Sequence, residues 1–594
     1  MKTKRFLTSI LACTVISTAT VSPLYSTAVD NTTSTTVSDS SEETPESTAI
    51  YYGDGFKLGY EKYSDHITII SCGSSAVNAV VPSEIEGLPV TELEHAFRHC
   101  YDLQSVTLPD TIKVIGAETF DKCYSLTEIT LPDSVTEIQK MAFSNCTALK
   151  SIVIPESVQV IGKQAFAICT SLTDVTIPAG VSASLNADTF VGCTSLSNIN
   201  VSYDSDSYTS VDGILFSKDM TTLIKYPVTR EGSYVIPDTV TSIEAGAFYL
   251  CDKLTGITIP DGVTEIKDSL FQNCSGLENV TLGNNVTFIG ISAFSGCTSL
   301  KNISLGNSVT EIGESAFSKC DSLTSIKFPD TLTSIGKSAF ADCTGLKDIT
   351  LPETLETIGD SAFCNTGLTG ITIPDSVTDI GENAFSSCEN LSDLTIGKGM
   401  TSIKDDTFYL CNSLTDITIP ENITSINSYA FAKCVNLSSI TIENPDCKVM
   451  TNAISNNYYM NLEDKSVKHN YDGVIFGCED SYAEIYSALN GYKFALIGSD
   501  ISSATVPEPI LIGDANGDSQ INASDASAIL SIYADISSGK SIDLSKRQFA
   551  VVDAIPDYEI NSSDATLILS YYSYISSGGT GTVYEYAINE FKGV

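Results

Sequence analysis

The stretch Ala142-Phe-Ser-Asn-Cys-Thr-Ala-Leu-Lys-Ser-Ile-Val-Ile-Pro155 decides the fold, because its frame returns about every 23 residues along most of the chain. A fixed period in this range is typical of solenoids, in which each repeat stacks on its neighbours. The phenylalanines that mark the frame are Phe97, Phe120, Phe143, Phe166, Phe190, Phe248, Phe271, Phe294, Phe317, Phe340, Phe363, Phe385, Phe408 and Phe431. The sequence therefore predicts a repeat solenoid with its caps over residues 51–500.

Each copy predicts two short extended pieces joined by turns. In one copy the apolar positions are Leu126, Ile129, Leu131, Val135, Ile138, Ala142, Phe143 and Cys146. Alternate inward residues before Pro132 indicate a strand that ends at a residue without an N–H donor. The piece from Val135 to Ile138 leads into a turn, 3-10 helix or short helix that carries Ala142 and Phe143. Since no copy buries these side chains alone, stacking at about 4.8 Å must form the core.

The frame A-F-x-x-C-x-x-L-x-x-I-x-I-P resembles the BspA-like leucine-rich-repeat family of bacterial surface proteins. The resemblance covers about three quarters of the chain. It implies a solenoid opened by residues 51–90 and closed by a cap at 445–497. The longer unit between Phe190 and Phe248 is expected to add a hairpin to the array.

Most of the 18 cysteines fall in the repeat frame. Those assigned to one repeat position are Cys100, Cys123, Cys146, Cys169, Cys193, Cys251, Cys274, Cys297, Cys320, Cys343, Cys364, Cys388, Cys411 and Cys434. An even count in a secreted chain allows disulfides, but equivalent side chains of stacked coils point in parallel rather than at one another. We expect buried free thiols. We call the column of stacked cysteines the cysteine ladder. Cys364 comes early in a copy that is one residue short, so the cysteine ladder should be disturbed there.

The repeats offer little catalytic chemistry, and no catalytic residue is predicted. The histidines are His66, His95, His99 and His469. His95 and His99 beside Cys100 allow a zinc site, but the repeat frame explains these residues as well. Exposed strand positions are mostly threonine, for example Thr107, Thr130, Thr258, Thr350 and Thr418. They either form a binding face or reflect the preference of threonine for strands.

The chain begins with a basic segment, an apolar run and small residues, the order of a secretory signal peptide, which we assign to residues 1–28. A Ser/Thr-rich disordered linker is predicted at 29–50. Cys13 leaves lipoprotein processing open. No later segment is long and apolar enough to span a bilayer. The net charge of −41 excludes nucleic acid as a partner and argues against anionic membrane surfaces.

After a linker at 501–510, residues 511–594 contain a duplicated loop. Oxygen ligands of the first copy occupy positions one, three, five, seven, nine and twelve: Asp514, Asn516, Asp518, Gln520, Asn522 and Asp525. This is the calcium spacing of an EF-hand loop. In the second copy Ile555 replaces the third ligand, and the remaining candidates are Asp553, Asp557, Glu559 through its backbone, Asn561 and Asp564. The sequence predicts two Ca²⁺ sites, the second of them weaker.

Each loop precedes one predicted helix, with Ala526, Ile529, Leu530 and Tyr533 along a face of the first. Two such units at the end of a secreted chain resemble a dockerin, a small all-α module. The resemblance implies that calcium folds the module and that it binds a cohesin domain on a scaffoldin of the cellulosome type. Loop positions ten and eleven help select the partner in that family, which here implies Ala523, Ser524, Ser562 and Ser563.

The sequence thus favours a secreted interaction or adhesion protein that is not an enzyme. The predicted dockerin would attach it to a cell-surface or cellulosome-type complex, and the repeats would face another protein, a cell or a plant surface. One alternative is a free or lipid-linked surface adhesin. Another is a polysaccharide-associated enzyme with an unrecognised site.

Overall fold

A computed structural model describes residues 45–53, 56–182, 185–460, 467–554 and 557–577, with the single residues 579, 583 and 586. The side chains of 458–460 and 467–469 lie outside that description. The signal peptide predicted at 1–28, Cys13 and the first part of the predicted linker also lie outside it. The chain divides into an N-terminal unit, residues 3–286 with 293–300, and a C-terminal unit, residues 287–292 with 301–594.

The N-terminal unit is built from short strands. These are β1 (Ser47–Gly53), β2 (Phe56–Lys62), β3 (Ile67–Cys72), β4 (Asn78–Val80), β5 (Glu84–Ile85), β6 (Leu88–Leu93), β7 (Ser105–Thr107), β8 (Val114–Ile115), β9 (Glu137–Ile138), β10 (Val160–Ile161), β11 (Asp174–Ile177), β12 (Asn198–Val201), β13 (Tyr208–Val211), β14 (Ile214–Ser217), β15 (Thr222–Lys225), β16 (Gly232–Val235), β17 (Ser242–Ile243), β18 (Leu254–Thr258), β19 (Glu265–Ile266) and β20 (Asn279–Thr281). A 3-10 helix spans Ala187–Phe190.

An antiparallel meander opens this unit. Strand β1 pairs with β2 from Ser47↔Lys62 to Gly53↔Phe56, and β2 pairs with β3. Parallel pairing then runs through β6, β8, β9 and β10. Strand β1 begins inside the stretch 29–50 that we predicted to be a linker, because residues from Ser47 onward pair with β2. The ordered cap therefore starts earlier than the apolar pattern suggested.

The repeat rungs form the core of the N-terminal unit. Phe97, Phe120 and Phe143 are fully buried, and successive rings stack at 5.3 and 5.1 Å. The segment carrying each phenylalanine is a pair of turns, with left-handed residues such as Met141 and Asn145. Within the described repeats only Ala187–Phe190 forms a 3-10 helix. The predicted solenoid is thus confirmed, with turns where a short helix was allowed.

The long unit between Phe190 and Phe248 contains the expected hairpin, β13 with β14. Its next strand, β15, returns to the solenoid and pairs in parallel with β17. Directly after β15, Tyr226 stacks on Phe248 with ring centroids 4.8 Å apart. Its N–H donates to the Ala247 carbonyl, as the N–H of Phe120 donates to Ala142. Tyr226 therefore takes the place of the missing phenylalanine.

The C-terminal unit continues with strands and adds helices. The strands are β21 (Phe288–Ile289), β22 (Asn302–Ser304), β23 (Glu311–Ile312), β24 (Ser325–Lys327), β25 (Ser334–Ile335), β26 (Asp348–Thr350), β27 (Thr357–Ile358), β28 (Gly370–Thr372), β29 (Asp379–Ile380), β30 (Asp393–Thr395), β31 (Ser402–Ile403), β32 (Asp416–Ile419), β33 (Ser425–Ile426), β34 (Ser439–Ile442), β35 (Lys448–Val449), β36 (Asn457–Met460), β37 (Val467–Asn470), β38 (Val474–Gly477) and β39 (Lys493–Leu496). The helices are α1 (Tyr482–Asn490), α2 (Ala523–Ser537), α3 (Lys546–Val552) and α4 (Ser562–Ser576), and a 3-10 turn spans Ile501–Ser503.

The short repeat corrects one cysteine assignment. Thr366, three residues after Phe363, takes the ladder position, and its hydroxyl donates to the Phe363 carbonyl at 2.9 Å. Cys364 instead directly follows the phenylalanine, although it too is buried. The ring stack is not interrupted, because Phe363 lies 5.3 Å from both Phe340 and Phe385. The disturbance is confined to the cysteine ladder, since the deleted residue lies after Thr366.

The end of the repeats carries the predicted cap and then the helical segment. Strands β34, β38 and β39 continue one sheet in parallel, and α1 lies between β38 and β39 in sequence. Hydrogen bonds fix residues 501–510 at two points. Thr505 exchanges backbone hydrogen bonds with Phe494, and Arg547 donates to the Glu508 carbonyl. In the described part of 511–594 the elements are the helices α2, α3 and α4. We call this segment the C-terminal module.

Candidate functional site

The first loop of the C-terminal module is folded around Asp514. Its Oδ1 accepts the N–H groups of Gly517 and Asp518 at 2.9 and 3.0 Å, and its Oδ2 accepts that of Ser519 at 2.9 Å. Further bonds link Asp518 N–H to Asn516 Oδ1 and Gln520 N–H to Asp518 Oδ1. Ser519 is left-handed, with φ 64°. The predicted ligands therefore do lie along one tight turn, where their oxygens accept backbone N–H groups.

Positions nine and twelve of each loop also start the following helix. Asn522 is the N-cap of α2 and forms a capping box with Asp525, while Asn561 and Asp564 do the same for α4. Such reciprocal bonds satisfy N–H groups that a helix start leaves open. The sequence interpretation assigned these residues to the metal alone. The capping motif was readable in the sequence, because Asn or Asp precedes another acceptor by three residues in both copies.

The second loop repeats this pattern where it is described. Tyr558 N–H donates to Asp553 Oδ2 at 2.9 Å, matching the bond between Ser519 and Asp514. Glu559 N–H donates to Asp557 Oδ1, and Asn561 N–H donates to Asp564 Oδ2. Ile555, the residue without a ligand oxygen, lies outside the described residues. The described part of the second loop thus has hydrogen bonds to its candidate ligands that match those of the first loop.

Asp553 fits the environment of a cation ligand. Its side chain is buried, and among the described residues its Oδ1 has no hydrogen-bond partner. Burial raises the pKa of Asp553 to about 9, and the neighbouring carboxylates of Asp564 and Asp557 add to the increase. A buried carboxylate without a compensating charge is costly, and a bound hard cation would supply that charge.

The described residues contain no group of three or more His, Cys, Asp or Glu side chains placed to hold a metal ion. An EF-hand loop also depends on asparagine and carbonyl oxygens, which the candidate loops supply beside their carboxylates. The lack of a three-residue group among the described residues does bear on the zinc alternative. His95 and His99 have φ of 53° and 63°, so they do not lie one helical turn apart, and Cys100 beside them is fully buried.

The four residues predicted to select a partner, Ala523, Ser524, Ser562 and Ser563, are all exposed. Farther along the same helices, Leu530 and Leu569 are 43% and 47% exposed, and Tyr572 is 45% exposed. The sequence placed Ala526, Ile529 and Leu530 along one face of the first helix. In the structure Ala526 and Ile529 are buried, whereas Leu530 is exposed. The module presents two equivalent surfaces, each with small residues at the helix start and an exposed leucine seven residues later.

The core of the module accounts for its buried positions. It contains Ile512, Ala526, Ile529, Val552, Ala554, Ile560, Ala565, Leu567, Ile568, Tyr571 and Val583. Helices α2 and α4 contribute matching pairs, Ala526 with Ala565 and Ile529 with Ile568. Because each helix buries one side in this core, the exposed leucines lie on sides that the module itself does not cover.

The threonine positions of the solenoid lie on its surface. Thr107, Thr258 and Thr418 are exposed, and Thr441 is half-buried in the described strands. The acidic residues two positions earlier, such as Asp348 and Asp393, are exposed as well. This regular polar face is available for contact with a partner. In the described part of the chain no helix has the length and hydropathy needed to cross a membrane.

Short parallel strands stacked once per repeat over a leucine- and phenylalanine-filled core define a leucine-rich-repeat protein. A family model described as the BspA type leucine rich repeat region (6 copies) matches over three ranges, residues 93–221, 231–347 and 335–461. The chain belongs to this family, since the match spans more than half of its length. No curated protein matched in a sequence comparison.

Several solved structures are similar to this chain. A leucine-rich repeat protein from Bacteroides ovatus shares 24% identity, covering 75% of this chain and 99% of its own, with a TM-score of 0.42. One from Eubacterium ventriosum shares 24% identity over 57% and 95%, with a TM-score of 0.46. A leucine-rich cell surface protein from Faecalibacterium prausnitzii shares 26% identity over 59% and 95%, with a TM-score of 0.40.

Proposed function

We propose that this chain is a secreted interaction protein with two working parts. The C-terminal module acts as a calcium-dependent dockerin that attaches the chain to a cohesin domain of a scaffoldin. The repeat solenoid presents its polar strand face to another protein or to a cell or plant surface. The observation that carries the proposal is the duplication of a loop and helix with the same hydrogen bonds in both copies.

Calcium would be structural in this module. The first loop offers oxygens of Asp514, Asn516, Asp518, Gln520, Asn522 and Asp525. The second offers Asp553, Asp557, the Glu559 carbonyl, Asn561 and Asp564. When bound, calcium supplies the charge that holds several acidic side chains around one turn. Because those side chains also cap α2 and α4, metal binding stabilises the helices that form the partner surface.

The two exposed helix surfaces are the proposed cohesin contacts. Small residues at 523, 524, 562 and 563 permit close approach of a partner, and exposed Leu530 and Leu569 provide apolar area to bury. Protein interfaces combine a buried apolar core with a polar rim. A surface of this kind favours a protein partner over a small molecule.

A cohesin array tests the proposal. The full chain is applied to immobilised cohesin domains in calcium chloride and again in EGTA. We expect capture in calcium that is lost with the chelator. The variant Ala523→Arg with Ser562→Arg places a large charge at the start of both helices, and we expect it to weaken capture by about tenfold or more.

The matched control is Ser537→Arg with Ser576→Arg, which adds the same charges in the last turns of α2 and α4, where both serines are exposed. It should bind like the parent chain. Equal capture in calcium and EGTA, or equal losses in the two double variants, would contradict a dockerin surface at the helix starts.

A further inference from the structure

The second calcium loop does not face solvent as the first one does. Its sixth residue, Tyr558, extends to a strand of the last repeats, where its hydroxyl donates to the Val449 carbonyl and accepts the Val449 N–H, both at 2.8 Å. Strand β35, which contains Val449, is the edge of the sheet formed with β31 and β33. The N–H groups on either side, of Lys448 and Met450, bond inward to the preceding coil. Tyr558 thus satisfies the outward backbone groups of an edge strand.

Further side chains enclose the tyrosine ring. Tyr482 meets it edge-to-face with centroids 5.0 Å apart, and the Lys448 ammonium lies 5.1 Å from its centroid. Both are favourable contacts for an aromatic ring. On the module side, Lys546 pairs with Asp446 at 2.6 Å and donates to the Pro445 carbonyl. The two sides of this contact are therefore joined by an ion pair, hydrogen bonds and aromatic packing.

Apolar packing continues the same contact. Leu489 of α1 packs against the core of the C-terminal module. A small cavity of about 30 Å³ lies among residues of both sides, including Ile485, Phe549 and Asp553. The corresponding region of the first loop is different, because Ser519 at position six is exposed. Among the described residues, the contact with the solenoid is made by the second loop through Tyr558.

We propose that Tyr558 makes the second loop a metal-dependent latch that seats the C-terminal module on the last coil of the solenoid. This inference rests on the proposed calcium loops. Asp553, the first ligand of the second loop, holds the N–H of Tyr558 at 2.9 Å, so the peptide that orders around the cation also positions the ring. Calcium at the second loop would thereby fix the module against the solenoid, while the first loop and the exposed helix surfaces remain open to a partner.

Hydrogen–deuterium exchange of the full chain tests the latch, with the Val449 amide as the direct reporter. In calcium chloride we expect slow exchange of this amide, and in EGTA faster exchange by about tenfold or more. Tyr558→Ala should give the fast rate even in calcium. Tyr558→Phe keeps the ring but removes the hydroxyl, so it should expose the same amide without loss of the ring packing. Ser519→Ala, at position six of the first loop, is the matched control and should leave the rate unchanged.

The latch is refuted if the Val449 amide exchanges equally in calcium and EGTA, or if Tyr558→Phe leaves its rate unchanged. Cohesin capture separates this inference from the proposed function. Calcium-dependent capture with a calcium-independent Val449 amide refutes the latch alone. A calcium-dependent amide without capture by any cohesin supports the latch and refutes the proposed partner.

Discussion

At the scale of single residues, the cysteine ladder shows what the repeat requires of a side chain. The ladder thiols are buried, and most of them donate to the carbonyl of a phenylalanine in the preceding coil, as Cys123 does to Phe97 at 3.1 Å and Cys146 does to Phe120 at 3.2 Å. A small apolar side chain with one weak donor fits this position, and Thr366 replaces it with a hydroxyl. Burial is also the largest cause of the raised pKa of Cys434, about 12, so its reactive thiolate form is scarce.

Alkylation distinguishes these thiols from the others. In the folded chain we expect Cys478, which is partly exposed, to react with iodoacetamide while the buried ladder cysteines remain unmodified. Cys72 is also partly exposed but should react slowly, because its hydrogen bond with Cys100 and its burial raise the pKa of its thiol. Unfolding in denaturant should make all of them reactive. Peptide mass spectrometry measures the two patterns. Ladder cysteines that react as fast as Cys478 in the folded chain would show that the core is open.

Lys225 is an ammonium group in a core position. It is 1% exposed, and its Nζ donates to the Gly246 carbonyl at 3.1 Å. Burial lowers the pKa of Lys225 in the folded chain below its usual value of 10.5. At pH values between the folded pKa and 10.5, the unfolded chain therefore binds more protons than the folded chain. Stability of the parent chain should therefore increase as pH rises through that window.

The variant Lys225→Met lacks both the charge and its titration. We expect it to unfold at a higher temperature than the parent at pH 7, since a well-packed apolar side chain avoids the cost of burying a charge. The difference in unfolding temperature between the variant and the parent should shrink as the pH approaches 10. Thermal unfolding followed by circular dichroism across this range measures it. A difference that stays constant with pH would mean that Lys225 does not titrate as its burial implies.

At the scale of elements, the sequence predicted the regular parts because their pattern repeats. The phenylalanine period located the stacked rungs, and alternation before proline located strands such as β11 and β32. The turn conformation was not predictable, since the left-handed residues at positions such as Met141 and Asn145 are chemically varied. The sequence did not predict Tyr226 as a stacked ring, because its spacing from Phe190 does not fit the repeat period. Its place in the stack follows only from the pairing of β15 with β17.

The Tyr226 rung can be tested against an exposed tyrosine of the same insertion. Tyr226 is buried and stacks on Phe248, whereas Tyr203 is 95% exposed. We expect Tyr226→Ala to lower the free energy of unfolding by about 3–5 kcal/mol, as for other large core aromatics. Tyr203→Ala should change it by less than about 0.5 kcal/mol. Denaturant unfolding of both variants measures the two changes in the free energy of unfolding. Similar losses of stability in the two variants would contradict the place of Tyr226 in the ring stack.

At the scale of the whole molecule, the sequence separated a repeat region from a duplicated loop module because their periods differ. Ligand spacing located both loops, and the structure gives them equivalent turns around Asp514 and Asp553. The contact of Tyr558 with Val449 could not be read from the sequence, because it joins residues 109 apart and depends on which strand ends the sheet. The two parts have different proposed roles. The solenoid would offer a surface to one partner, and the module would attach the chain to a cohesin domain.

The proposed attachment would depend on calcium at the first loop, whose position-one and position-twelve carboxylates are Asp514 and Asp525. The most direct measurement is the binding of the full chain to a captured cohesin domain by surface plasmon resonance over a series of free-calcium concentrations. We predict affinity that rises with calcium and disappears in EGTA, with Asp514→Ala requiring more calcium than the parent chain. Binding that is equally strong in EGTA and in calcium, or unchanged in Asp514→Ala, would contradict a calcium-dependent attachment module.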